Sequence, residues 1–428
     1  MIFVGTYSVP VSAPAVDLSV DVRGSTAIVA LGRGHAASTT VHVTLRGTRI
    51  RFTFPGGLAF DGVIGRAGTV RHDGVKGTFR LRRGLSRALQ RFGLFRASDG
   101  DTLSVDQASG FPQWLVELPG GAVHGIAASG SVGLLLGDTA GNGTVSADDG
   151  GLTWKEKRYA RVGLRQREVR VGALAATLTL PPGPGPFPAV AMVHGSGPNT
   201  REEFQTFAAY CESLGIAVLA DDKRGVGQSL GRYPGERATD ATLDVLAKDA
   251  QAEARYLARL PQIDPKRVGL LGDSQAGWVI ALAAAREPAV RWAVALAGPA
   301  ATVGETDLWA ELAGKSQTAK SGSDAEMLKQ VHAAGPSGWD PRPWLAKVSV
   351  PVHWVLGDDD RNVPTQLTIE RLQGLQQGHD FTWTVIHSTH ALLELPTGLY
   401  SSLGRSRGFA EGLFPAVGAW LRSRNIVG

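Results

Sequence analysis

Cysteine is nearly absent from this chain. Cys211 is the single one, so no intrachain disulfide can form. That fits a reducing compartment and favours the cytoplasm, although a trimmed secreted protein would look the same. Cys211 lies in Phe204-Gln-Thr-Phe-Ala-Ala-Tyr-Cys-Glu-Ser-Leu214, where apolar residues recur at helical spacing. It reads as a small buried residue, not a nucleophile. No apolar run is long enough to span a bilayer. Met1-Ile-Phe-Val-Gly has no positive n-region and no sustained apolar core, so no signal peptide is expected. Charge of one sign is also scarce: the formal net charge is +5 over 428 residues. The arginines at 80, 82, 83, 87, 91 and 96 form one basic cluster, read as a solvated face. There is no helix-turn-helix, zinc-finger or aromatic-basic pattern, so nucleic acid is not an expected partner. The histidines at 35, 42, 72 and 124 lack metal-ligand spacing, and no metal or cofactor is called for. No repeat of constant period is present. At 43% hydrophobic and 19% charged, the chain reads as soluble and globular, with more residues than one ordinary domain holds.

Two patterns divide it near residue 160. Before that point short strands alternate, as in Thr40-Val-His-Val-Thr-Leu-Arg46 and Thr48-Arg-Ile-Arg-Phe-Thr-Phe54. The glycines at 62, 65, 68, 74 and 77 read as punctuation between further strands, and a short helical piece is expected near Leu85 to Phe92. Residues 1–160 are therefore predicted to be all-β, a sandwich or partial barrel plus a second small β-region. Across 161–428, strands alternate with helical runs, with a helical cap insert near 303–340. This pattern predicts a mainly parallel sheet with helices on both faces. Ligand sites in such sheets lie at the carboxyl ends of the strands.

The most informative stretch is Val268-Gly-Leu-Leu-Gly-Asp-Ser-Gln-Ala-Gly-Trp278. It reads as strand, tight turn and helix with Ser274 at the tip, the nucleophile-elbow arrangement. Ala276 stands where the strict pattern has glycine, and Gly277 adds room one step later. Taken alone, the same residues would also suit a serine capping an ordinary helix. Three other strand ends bear on the choice. His194-Gly-Ser-Gly-Pro198 is a turn that could aim a backbone N–H at an oxyanion. The candidate donors are Ser196 and Gln275, the residue after the serine. Asp222-Lys-Arg-Gly-Val-Gly-Gln-Ser229 lacks P-loop spacing, and Asp222 with Arg224 reads as a structural ion pair. Gly357-Asp-Asp-Asp-Arg-Asn-Val-Pro364 offers an acid: Asp360 is favoured, with Asp358 and Asp359 capping the turn or facing solvent. His387-Ser-Thr-His390 offers a base, His390 ahead of His387. The order Ser274, Asp360, His390 is the one expected of an α/β-hydrolase.

From about residue 165 onward these motifs resemble bacterial serine carboxylesterases that carry an extra N-terminal β-domain. The resemblance implies an α/β-hydrolase fold, a Ser274–Asp360–His390 triad, hydrolysis of a small-molecule ester, and no metal or organic cofactor. It adds Arg201 as a substrate contact at the site mouth, and Trp278 in the matching elbow is the second candidate contact. Two departures are Ala276 and the Ser388-Thr389 pair before His390, where a Gly-Ala-Asn run is common. Trp309, Trp339 and Trp344 either roof the site or pack the domain. The alternatives left open are an acyl-CoA thioesterase or peptidase of this fold, and a non-catalytic protein that binds through its β-domain, for example to polysaccharide. Oligomeric state is not legible.

Overall fold

The structure is a computed structural model that describes residues 2–8, 16–31, 37–54, 57–83, 93–106, 114–126, 131–134, 143–148, 150–314, 320–393, 395 and 408–428. The helical piece expected near Leu85 to Phe92 lies outside the described residues. The chain forms two compact units, Met1–Leu118 with Ala122–Val162 and Gly163–Gly428 with Pro119–Gly121. Among the described residues no helix is long and apolar enough to cross a membrane.

The first unit is all-β. Eight strands close into a barrel, because Ile2–Ser8 pairs with Val75–Arg83 as well as with Val16–Arg23. The expected partial barrel is thus a complete one, which leaves no unpaired edge. Alternation in Arg49–Phe54 sends Ile50, Phe52 and Phe54 inward, where they meet Phe60, Val70, Phe79 and Leu81. Three glycines were misread as punctuation, one of them Gly77, which lies inside the strand Val75–Arg83. Gly62 and Gly68 lie inside the strands Leu58–Val63 and Ala67–His72. A Cβ on either would sit 2.7 or 2.3 Å from the Phe79 ring, so the missing side chains make room for that ring. Gly65 and Gly74 are true turn residues with positive φ. The remaining strands, from Gly93–Arg96 to Lys157–Arg161, form a nine-stranded antiparallel sheet over its own core of Phe95, Leu103, Leu115, Leu152 and Trp154.

The second unit holds eight strands: β1 (Arg165–Val171), β2 (Leu174–Leu180), β3 (Phe187–Val193), β4 (Ala217–Asp221), β5 (Ile263–Asp273), β6 (Trp292–Leu296), β7 (Val352–Asp359) and β8 (Phe381–Thr389). Their order in the sheet is β1-β2-β4-β3-β5-β6-β7-β8. Only the pairings of β2, with β1 and with β4, are antiparallel. The central strands β4 and β6 are buried at every position and apolar except for Asp221, as expected of strands covered on both faces. The helices are α1 (Gln205–Ser213), α2 (Asp240–Ala258), α3 (Ala276–Arg286), α4 (Val303–Leu312), α5 (Asp324–Ala334), α6 (Arg342–Leu345), α7 (Thr365–Gln373) and α8 (Leu413–Ser423). Helix α2 starts where Thr239 accepts the Thr242 N–H. The insert is two helices, α4 and α5, each opened by a capping box, Thr302 with Glu305 and Ser323 with Glu326. Cys211 is fully buried on α1, and burial pushes its thiol well above the ordinary range.

Candidate active site

Ser274, Asp360 and His390 are each the first residue beyond a strand: β5, β7 and β8. The register of β7 on β8 pairs Asp359 with Thr389, so the next residues, Asp360 and His390, leave the sheet side by side. Asp360 Oδ2 lies 2.8 Å from His390 Nδ1, and His390 Nε2 lies 3.0 Å from Ser274 Oγ.

Ser274 occupies the left-handed region at φ +54, which is costly for a residue with a side chain. The strain is held by close packing on either side. A Cβ on Gly272 would lie 2.1 Å from Val193 O and 2.6 Å from the Ala276 methyl. A Cβ on Gly277 would lie 2.8 Å from the Gly298 backbone. This accounts for Ala276: its methyl fits because Gly272 has none, and the second close approach falls on Gly277 instead.

Asp360 is 3% exposed. Its Oδ1 accepts the N–H groups of Asn362 and Val363, both at 2.8 Å, which leaves Oδ2 aimed at the imidazole. Trp309 Nε1 donates to the Asp360 carbonyl at 2.9 Å. Burial lowers the His390 pKa, but the hydrogen bond and charge of Asp360 outweigh it, and the net shift is upward. A carboxylate at Nδ1 keeps the proton on that nitrogen and leaves Nε2 free to accept one from the serine.

His387, the alternative base, points elsewhere. It is 75% exposed and pairs with Asp358 at 2.7 Å. Asp358 also accepts the Ser388 N–H, and Asp359 pairs with Lys320, so neither carboxylate is idle. The Ser388-Thr389 departure lengthens β8 up to His390, and the glycine at 357 makes room for it: a Cβ there would lie 2.6 Å from Ser388 O.

Gln275 follows Ser274 at the start of α3, and its N–H has no acceptor among the described residues. Ser196 is exposed on the turn after β3, and its N–H is likewise unengaged among the described residues. The preceding Gly195 N–H donates to Asp273 Oδ1 at 3.2 Å.

One expectation is corrected, and the two candidate substrate contacts prove to have partners of their own. Asp222 does not pair with Arg224. It takes both ends of the Arg201 guanidinium, at 2.9 and 3.0 Å, while Arg224 Nε donates to Asp249 at 2.8 Å on α2. Arg201 is therefore committed: its remaining nitrogen donates to Glu168 and Thr177 on β1 and β2. Gly227, at φ +53, lets the backbone turn within 2.5 Å of Asp222 Oδ2, measured from where a Cβ would be, so this glycine serves a carboxylate rather than a phosphate. Trp278 is buried, donates to Ala301 O and packs edge-on against Trp339, with ring centroids 6.4 Å apart. The three tryptophans of the insert region also pack the domain: Trp309 on the Asp360 loop, Trp339 on Trp278, and Trp344 under Arg286 and Lys347.

Sequence reasoning passed over two residues. Asp273, just before the serine, is half-buried, and desolvation raises its pKa against the opposing charges of His194 and His390. Lys223 is 2% exposed, and its Nζ donates to Gly195 O at 2.7 Å and Gly197 O at 3.1 Å. The available signal was a charged residue at or next to the end of a buried strand, where solvation is poor. A cavity of about 710 Å³ lies on the barrel, lined by His42, Arg49, Arg51, Asp61 and Arg71, and touches none of these residues.

The strand order, the strained serine turn and the position of each side chain at a strand end give the second unit an α/β-hydrolase fold. The family model described as serine aminopeptidase, S33, matches residues 185–320. Among curated proteins the chain is similar to esterase EstD of Thermotoga maritima, 39% identical over 66 residues, covering 14% of this chain and 16% of that one. It is also similar to human mitochondrial acyl-coenzyme A thioesterase 2, 33% identical over 155 residues, covering 36% and 29%. These stretches span less than a third of either relative's own length. Among solved structures, the esterase Pf2001 of Pyrococcus furiosus aligns at 17% identity over 61% of this chain and 93% of that one, with a TM-score of 0.43. Est1E of Butyrivibrio proteoclasticus, with ferulic acid bound, aligns at 18% identity over 60% and 99%, with a TM-score of 0.40.

Proposed function

We propose that this chain hydrolyses carboxylic esters through an acyl-enzyme on Ser274. The observation that carries the reading is the unbroken line Asp360 Oδ2, His390 Nδ1, His390 Nε2, Ser274 Oγ, with links of 2.8 and 3.0 Å, ending on a serine at positive φ. His390 takes the serine proton at Nε2 as Oγ attacks the ester carbonyl. The oxyanion rests on the N–H groups of Ser196 and Gln275, the latter at the N-terminal end of α3 where the helix dipole adds to the donor. Collapse expels the alcohol, which leaves with the proton from His390. Water then attacks the acyl-enzyme, His390 again takes a proton, and the acid departs. Asp360 stabilises the imidazolium at both stages.

Thioester hydrolysis is the second reading, favoured by the acyl-coenzyme A thioesterase likeness over 155 residues. It needs the same groups, with a thiol in place of the alcohol. Incubation with a fluorophosphonate probe and peptide mapping, followed by assays on p-nitrophenyl esters and acyl-CoA, separates the outcomes. Labelling at Ser274 with ester turnover is the expected result. Labelling with turnover of acyl-CoA alone transfers the proposal to thioesters. Absence of labelling in a folded sample overturns the activated serine and favours a binding role.

A further inference from the structure

Lys223 begins the loop after β4, two residues beyond Asp221, at the end of the strand next to β3. Its ammonium donates to carbonyls, not to a carboxylate: Gly195 O at 2.7 Å and Gly197 O at 3.1 Å, with the Tyr233 ring centroid 5.7 Å away. No ion pair to it forms among the described residues. Burying a charge this way is unfavourable, and a neutral donor would satisfy the same carbonyls at less cost. The location suggests what the charge does. Gly195 C=O and Ser196 N–H belong to one peptide plane, and in a trans peptide they point in opposite directions. A hold on the oxygen therefore sets the direction of the N–H. The positive charge also draws electron density toward the oxygen and strengthens the N–H as a donor. On the other side, Asp273 Oδ1 accepts the Gly195 N–H, so consecutive peptides of the turn are gripped by groups of opposite charge. Gly195 is closely approached: a Cβ would lie 3.0 Å from Asp273 Oδ2 and 3.1 Å from its backbone oxygen.

We infer that Lys223 is a positioning residue of the oxyanion site, aiming and polarising the Ser196 N–H through the Gly195 carbonyl, with Asp273 bracing the preceding peptide. This rests on the acyl-enzyme reading above. It also brings a pH dependence. The charged groups that face Lys223 are Asp221 on β4, Asp273 on β5, Glu203 in the 3-10 turn before α1, Glu236 before α2 and His194 at the end of β3. Burial brings the Lys223 pKa down to about 8, even though Asp273, Asp221, Glu203 and Glu236 oppose it. The ammonium is present below that pH and lost above it, so the oxyanion donor weakens on the alkaline side.

The test uses the full chain. Wild type is first labelled with a fluorophosphonate probe; without labelling at Ser274 both the reading and this inference fall. With labelling, kcat and KM for p-nitrophenyl butyrate are measured from about pH 6 to pH 10 for wild type and Lys223→Met. Wild-type kcat is expected to fall through an alkaline limb near pH 8. The variant is expected to lose about ten- to a hundredfold in kcat, short of the loss of an entire oxyanion donor. Its KM should stay within about threefold and its profile should be flat where wild type declines. Labelling at Ser274 together with an unchanged kcat, or with an alkaline limb that persists in the variant, overturns the inference and leaves the serine hydrolase intact. If the variant does not fold by circular dichroism, the wild-type profile decides: kcat level to about pH 10 overturns it.

Discussion

At the scale of single residues, the site separates two histidine–aspartate pairs that look alike in sequence. His390–Asp360 is enclosed and joined to Ser274, whereas His387–Asp358 is on the surface. His387→Ala should leave kcat/KM within about twofold, because an exposed pair contributes little. Asp360→Asn should lower kcat by about 10⁴ with the protein still folded, as expected when the imidazole loses its orienting anion. A steady-state assay of both variants checks the assignment; equal losses would mean the pairs had been assigned wrongly. The acid limb follows from the His390 shift. Asp360 holds the histidine pKa above 6.5, and the base works only when neutral, so kcat/KM should rise with pH through a midpoint above 6.5. In Asp360→Asn the opposing effect of burial remains, and residual activity should show its midpoint at lower pH.

At the scale of elements, the elbow and the loop after β4 both use glycine where another group comes close. Gly272 is squeezed between Val193 O and Ala276, so Gly272→Ala is expected to cost about 3 kcal/mol, the upper end for overpacking, in urea unfolding. Ala276→Gly only returns the space and should be nearly neutral. Arg201 tests whether a site-mouth residue touches substrate. Both ends of its guanidinium are taken by Asp222, and both side chains are largely buried, at 12% and 4% exposure. Removing one partner leaves a buried charge unmatched, so Arg201→Met should lose about 3 kcal/mol of stability. Its KM, measured on the folded fraction, should be unchanged; a KM raised tenfold would support a role in substrate binding.

At the scale of the whole molecule, the described residues close separate cores within the barrel, within the nine-stranded sheet and around the hydrolase sheet, with a smaller one under α4 and α5. Cores that share no side chains need not melt together, so calorimetry should resolve more than one transition. A phosphonate adduct on Ser274 should move the transition of the second unit and leave the barrel's in place. A single transition that moves as one would show the units to be energetically joined.

The sequence alone was sufficient for the class of architecture and for the strand ends that carry the candidate triad. Period-2 and period-3.6 patterns are local, and a residue that ends an apolar run is visible without knowing what stands beside it. Ser274, Asp360 and His390 were legible for that reason, each being the first residue past a strand. Partners depend on which strands are neighbours, and that is a long-range property. Asp222 looked paired with Arg224 because a single residue separates them in the chain, yet β4 lies between β2 and β3, and this order delivers Arg201 to Asp222 instead. The glycines at 62 and 68 looked like turns until the barrel closed and brought the Phe79 ring against them. Lys223 looked like one charge among four in Asp-Asp-Lys-Arg. Only the packing of the β4 loop against the turn after β3 buries its ammonium, because burial belongs to neighbours that are distant in sequence.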